Sequence, residues 1–149
     1  MHMENYINSM IDMRNKQGKL YKHNHVAIIV NDANNNIITY GYNIPLIKDN
    51  KIIDSYHAEE LSILKLPYTR KNIKINIFVI RFDKNHEISN SKPCKRCIDK
   101  MKMIFNKGYK IHRIYYTNTK SLTVTNYDKI KNDTTTRYSK LYKMRHNVI

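Results

Sequence analysis

The sequence predicts an α/β fold, a three-layer α/β/α sandwich on a mixed sheet of five strands with the fifth antiparallel to the fourth. Three observations predict it. Short apolar runs such as Val26–Val30 and Ile77–Ile80 suit strands buried on both faces. Segments of helical periodicity separate several of these runs. Right-handed crossovers through those helices make the second, third and fourth strands parallel.

The elements follow in order. Met3 to about Lys16 carries Met3, Tyr6, Ile7, Met10 and Ile11 at helical spacing, with Gly18 placed to end the helix. Val26–Val30 and Ile37–Tyr42 flank an Asn/Asp-rich turn and form an antiparallel hairpin. The stretch from Ile44 to Tyr56 reads as a loop, because Pro45 prevents a long continuation. From about His57 to Leu66, Ala58, Leu61 and Leu64 share a helical face, and Pro67 marks the stop. Ile75–Phe82 is the third strand, and a polar loop follows to Lys92. A single helix then runs to Asn106, with Cys94, Cys97, Ile98, Met101, Ile104 and Phe105 on one face and Lys95, Arg96 and Asp99 on the other. Ile111–Thr117 is the fourth strand, a turn lies at Asn118–Ser121, and Leu122–Tyr127 returns as the fifth.

At 149 residues the chain predicts one domain, 1–149, with its core at about 20–128 and a basic tail at 129–149. No run approaches the length of a membrane helix and no secretory signal opens the chain, so the expectation is a cytoplasmic protein without a membrane partner. The formal charge of +15 admits nucleic acid as a partner. A genome biased toward A and T would give the same richness in Lys, Asn, Ile and Tyr and explains the charge equally well.

The chemistry lies in two short stretches. Cys94 and Cys97 are the only cysteines, three positions apart behind Pro93 at a helix start. Two thiols so placed can grip one metal ion, and a helix N-terminus favours the thiolate form. A structural zinc normally takes four protein ligands, and no second cysteine pair exists. The simplest third ligand is a histidine, and the one paired with an acid at a helix start is His57, two positions from Glu59. Three ligands leave one position open for water, the arrangement of a catalytic zinc. Glu59 is then placed to move protons rather than to bind the ion.

Together His57-Ala58-Glu59 and Pro93-Cys94-Lys95-Arg96-Cys97 resemble the zinc-dependent cytidine and deoxycytidylate deaminase superfamily, whose signature is H-x-E followed by P-C-x-x-C. The resemblance spans about residues 20–117. It implies one zinc ion on His57, Cys94 and Cys97, with Glu59 as general acid and base. It implies that water adds at C4 of a cytosine ring while Glu59 protonates N3 and then the departing amine. The Ala58 backbone N–H would hold the base carbonyl, and Asn43 would contact base or sugar. His25 and Tyr116 are weaker candidates for the pocket wall.

The plainer readings compete. Glu60 reads as a solvated helix residue, His23, His86 and His112 as surface residues, and the strand tyrosines Tyr115 and Tyr116 as packing. Lys129, Lys131, Arg137, Lys140, Lys143 and Arg145 suit either a phosphate contact or a solvated tail.

The resemblance supports a nucleoside or nucleotide substrate, foremost dCMP or CMP. The alternatives are a polynucleotide deaminase acting on transfer RNA or single strands and a non-catalytic zinc-stabilised binding module. The tight turn at Asn118–Ser121 weighs against the polynucleotide branch, whose members usually place a helix there. An intact Glu59 weighs against the non-catalytic module. Family members commonly form homo-oligomers, which is an expectation by analogy here.

Overall fold

In the computed structural model, residues 5, 6, 8–12, 24–83, 85, 87–118 and 121–133 are described. Residues 5, 6 and 8–12 are helical and form α1. There follow β1 (Asn24–Asn31), β2 (Ile37–Tyr42), β3 (Ile44–Lys48), β4 (Lys51–Tyr56), α2 (Ala58–Lys65), β5 (Ile73–Phe82) and β6 (Ile88–Ser89). The remaining elements are α3 (Lys95–Lys100), α4 (Lys102–Asn106), β7 (Tyr109–Thr117), β8 (Leu122–Thr125) and α5 (Tyr127–Lys131).

The main sheet runs β2-β1-β5-β7-β8, with the two-residue β6 pairing beside β5. β1 is antiparallel to both β2 and β5, while β5 and β7 are parallel. Thus β2, β5 and β7 point the same way, as the crossover argument requires, although β1 lies between the first two. β8 returns antiparallel to β7.

Strand alternation builds two cores. Val26, Ile28 and Val30 of β1 join Phe78, Ile80 and Phe82 of β5, Tyr115 of β7, and Tyr6 and Met10 of α1. On the other face Ala27 and Ile29 join Ile77, Val79 and Ile114 beneath Ala58 and Ile63 of α2, Ile98 of α3, Ile104 of α4 and Ile130 of α5. Val26 through Val30 are all fully buried, because both faces of the central strand are covered. The result is three layers.

Four features depart from the sequence expectations. The stretch read as a loop is a hairpin, β3 paired with β4 in a separate two-stranded sheet. Its tip, Asp49-Asn50, has φ of 52° and 60°, as a two-residue primed turn requires. Pro45 is tolerated because this small sheet has only edges. The predicted single helix after Cys94 is two short ones meeting at Met101, whose N–H reaches both Cys97 O and Ile98 O at 3.1 Å, a local tightening of the helix. Pro93, which the sequence suits to a first-turn position because it has no N–H to donate, instead precedes the N-cap residue Cys94. Finally, ordered structure continues through α5, which carries Ile130 into the core. The predicted Gly18 cap, His23, His86 and tail residues Arg137, Lys140, Lys143 and Arg145 lie outside the described residues.

Gly41 in β2 lets α2 seat on the sheet. A Cβ there would stand 2.6 Å from Ala58 O and 2.7 Å from Ser62 N, both backbone atoms. Gly41→Ala must therefore push the start of α2 off the sheet. The expected destabilisation is about 1–3 kcal/mol, read as a lower urea midpoint with an unchanged slope.

Candidate active site

Both motif helices start at the edge of the sheet where β5 and β7 end. His57 is the N-cap of α2 and Cys94 the N-cap of α3, both with extended backbone. One turn into α3, Cys97 is buried. The loop that delivers Cys94 is pinned by Ser91, itself buried. The Ser91 hydroxyl donates to Val79 O at 2.7 Å and accepts from the Thr117 N–H at 2.7 Å, and the Ser91 N–H donates to Thr117 O at 2.8 Å. Ser91 therefore bridges the diverging ends of the parallel strands β5 and β7.

This framework brings three donor atoms together. His57 Nδ1 lies 3.2 Å from Cys97 Sγ and 3.4 Å from Cys94 Sγ, and the two sulfurs are 3.7 Å apart. Among the described residues they form a group able to hold one metal ion. A tetrahedral zinc with about 2.3 Å to sulfur and about 2.0 Å to nitrogen separates its donors by roughly 3.5–3.8 Å, so the donor set fits that ion with small adjustments.

The protons of the cluster are already biased. The hydrogen bond from Cys97, helped by His57, pulls the Cys94 thiol down to about 4. Burial pushes the Cys97 thiol well above its ordinary value. Burial opposes charge on His57, but the hydrogen bond and charge of Cys94 outweigh it and raise its pKa. One thiolate beside an imidazole is a ready starting point for metal binding.

Glu59 lies in the first turn of α2 and is buried, and its Oε1 has no hydrogen-bond partner. Burial raises its pKa above the ordinary carboxyl value. It lines a cavity of about 250 Å³ with His25, His57, Arg81, Asn90, Ser91, Lys92 and Cys94. A second cavity of about 230 Å³ shares His25, His57 and Arg81 and adds Asn43 and Ser55. Ala58 opens α2, so its N–H is among those a helix start leaves without an intrahelical carbonyl. Asn43 Oδ1 accepts the His25 N–H at 2.8 Å, which fixes the amide beside the second cavity. Tyr116 is on the same sheet face, two residues from Ile114, but lines neither cavity. Tyr115 faces the opposite core, stacked on Phe78 at 4.3 Å.

The comparisons decide the family. Residues 2–117 match the family described as "Cytidine and deoxycytidylate deaminase zinc-binding region". This chain belongs to the cytidine and deoxycytidylate deaminase family. Among solved structures it is similar to a cytidine deaminase from Burkholderia pseudomallei, with a TM-score of 0.61 at 17% identity over 89% of this chain and 98% of the other. That likeness is one of fold. No curated protein matches the sequence.

The deaminase holds its two motifs together with residues the motifs do not name. Glu60 is buried, not solvated, which corrects the sequence reading. Its Oε1 accepts from the His57 N–H at 3.0 Å and from Arg96 Nε at 3.0 Å. Arg96, expected on the solvent face, is only 12% exposed and also donates to Asp54 Oδ1 at 3.2 Å. The helices approach too closely to leave this pair in water. Arg81 was also missed. Its signal was available, since it is the one charge in the run Ile77-Phe78-Val79-Ile80-Arg81-Phe82.

Proposed function

We propose that this chain is a zinc-dependent hydrolytic deaminase that converts a cytosine nucleoside or nucleotide, foremost dCMP or CMP, to its uracil form and ammonia. One observation carries the reading: three metal-binding atoms converge within 3.2–3.7 Å beside the buried carboxylate of Glu59, whose Oε1 has no hydrogen-bond partner. A zinc ion on His57, Cys94 and Cys97 would supply a Lewis acid that makes water acidic near neutral pH. Glu59 takes the proton that this water loses and delivers it to the ring nitrogen and then to the departing amine. Its burial keeps bulk water from competing for that proton. In this reading the Ala58 N–H holds the base carbonyl and the Asn43 amide contacts the base or sugar.

A carboxylate beside the three-ligand cluster favours this reading over a structural zinc module, which has no use for it. The closed turn from Asn118 N to Ser121 O, 2.9 Å, favours a free nucleotide over a polynucleotide.

The test is direct. Purified protein is incubated with dCMP, CMP, cytidine and single-stranded oligonucleotides, and its zinc is counted by atomic spectroscopy. One zinc per chain and uracil product from a monomeric substrate are expected. Chelation should remove the metal and the activity together, and zinc should restore both. Zinc-loaded protein that converts nothing contradicts the reading.

A further inference from the structure

Among the described residues, two buried side-chain polar atoms lack a hydrogen-bond partner, Glu59 Oε1 and Arg81 Nε. Both residues line the same cavity. Buried polar atoms left unsatisfied are rare and costly, so two in one cavity need an explanation. The proton-transfer role explains Glu59. Nothing in that role explains Arg81.

Arg81 occupies a specific place. It pairs across the sheet with His25 of β1, so the two side chains stand together on the site face. Both line both cavities, alongside His57. Arg81 makes no ion pair among the described residues, and Glu59, the one carboxylate lining its cavity, leaves Oε1 unpaired rather than meeting it. Lys92 lines the same cavity and is itself paired with Asp133. A guanidinium offers a planar fork of donors matched to phosphate and carboxylate oxygens. A pyrimidine ring is neutral and a nucleoside carries no anion, so neither calls for a half-buried guanidinium whose Nε is shielded from water and unpaired.

We propose that Arg81 binds the phosphate of the substrate, which makes the substrate a nucleoside 5′-monophosphate rather than a nucleoside. The assignment rests on the deaminase reading for the reaction, but the binding itself does not require turnover. His25, opposite Arg81, forms the neighbouring wall. The cavities, about 230 and 250 Å³ with Arg81 in the wall they share, suit one nucleotide better than a strand.

The experiment measures kcat/KM for dCMP and deoxycytidine in the wild type, Arg81→Lys, Arg81→Gln and Arg81→Ala, with binding of the product dUMP and of deoxyuridine by calorimetry. The dCMP-to-deoxycytidine ratio of kcat/KM should fall by about 10- to 100-fold in Arg81→Ala, with Arg81→Lys recovering part of it. Binding of dUMP should weaken by a similar factor. Equal losses for nucleotide and nucleoside, or a ratio that does not change, overturn the assignment and give Arg81 a role on the base or in the scaffold. Wild-type protein that converts no substrate, yet binds dUMP in an Arg81-dependent way, overturns the reaction and leaves the phosphate site standing. If dUMP binds no tighter than deoxyuridine, the phosphate site is wrong whatever the turnover. An oligonucleotide arm whose affinity depends on Arg81 while that of dUMP does not also overturns it.

Discussion

Glu59→Gln is expected to lower turnover by about 10²- to 10⁴-fold, the usual contribution of a positioned general acid and base. The substitution keeps the shape and volume of the side chain, so packing under α2 is retained. What it removes is the capacity to accept a proton from water and pass it on. His57, Cys94 and Cys97 are untouched, so zinc content by atomic spectroscopy should stay at one per chain. Stability is expected to move the other way. Oε1 is buried without a hydrogen-bond partner, and an amide costs less to bury in that condition than a carboxylate. Metal-free Glu59→Gln should therefore unfold at a urea midpoint equal to or above that of the wild type. A variant that keeps a tenth or more of wild-type turnover would remove Glu59 from the chemistry. A variant that also loses its zinc would place Glu59 among the ligands instead.

That contrast bears on what the sequence could reveal. The metal cluster was legible because its chemistry is local: cysteines at i and i+3, and a histidine and a glutamate at i and i+2, each describe one helix start without reference to anything distant. The strand directions were legible for a similar reason, since a helix between two strands fixes their relative sense. The devices that join the local pieces were not legible. Glu60 looks solvated on a helical wheel, and only the approach of α3 buries it against Arg96. Ser91 looks like a loop serine until β5 and β7 diverge around it. The β3–β4 hairpin was hidden by Pro45, although Asp49-Asn50 carried the turn signal. Arg81 stood out in its apolar strand, but its importance depends on the cross-strand neighbour His25, and pairing partners are not local information.

Arg96→Ala is expected to be among the most destabilising single changes outside the apolar core. Arg96 lies between the two cysteines, Glu60 directly follows Glu59, and the 3.0 Å pair ties one helix start to the other. Glu60 is 3% exposed and Arg96 12%, so water screens the pair little. Removing the guanidinium strands a buried carboxylate, and breaking such a pair costs about 3–5 kcal/mol. Glu60 would still accept the His57 N–H, which offsets part of the loss. Urea unfolding of the metal-free protein measures the effect without the added stability of bound zinc. The second expected effect is on metal affinity, because α3 then loses a tether to α2 and the donor atoms of His57 and Cys97 are no longer held 3.2 Å apart. Neutralising both partners separates charge from scaffold. In Arg96→Met with Glu60→Gln the buried Glu60 charge is gone and only Asp54, 17% exposed, has lost the guanidinium, so stability should recover part of the way toward the wild type, giving a coupling energy above about 1 kcal/mol in the double-mutant cycle. Zinc affinity should recover less, since the bond between the two helix starts is still missing. Additive effects in the cycle would show that Glu60 and Arg96 act independently, and the two motifs would then be held together by apolar packing alone.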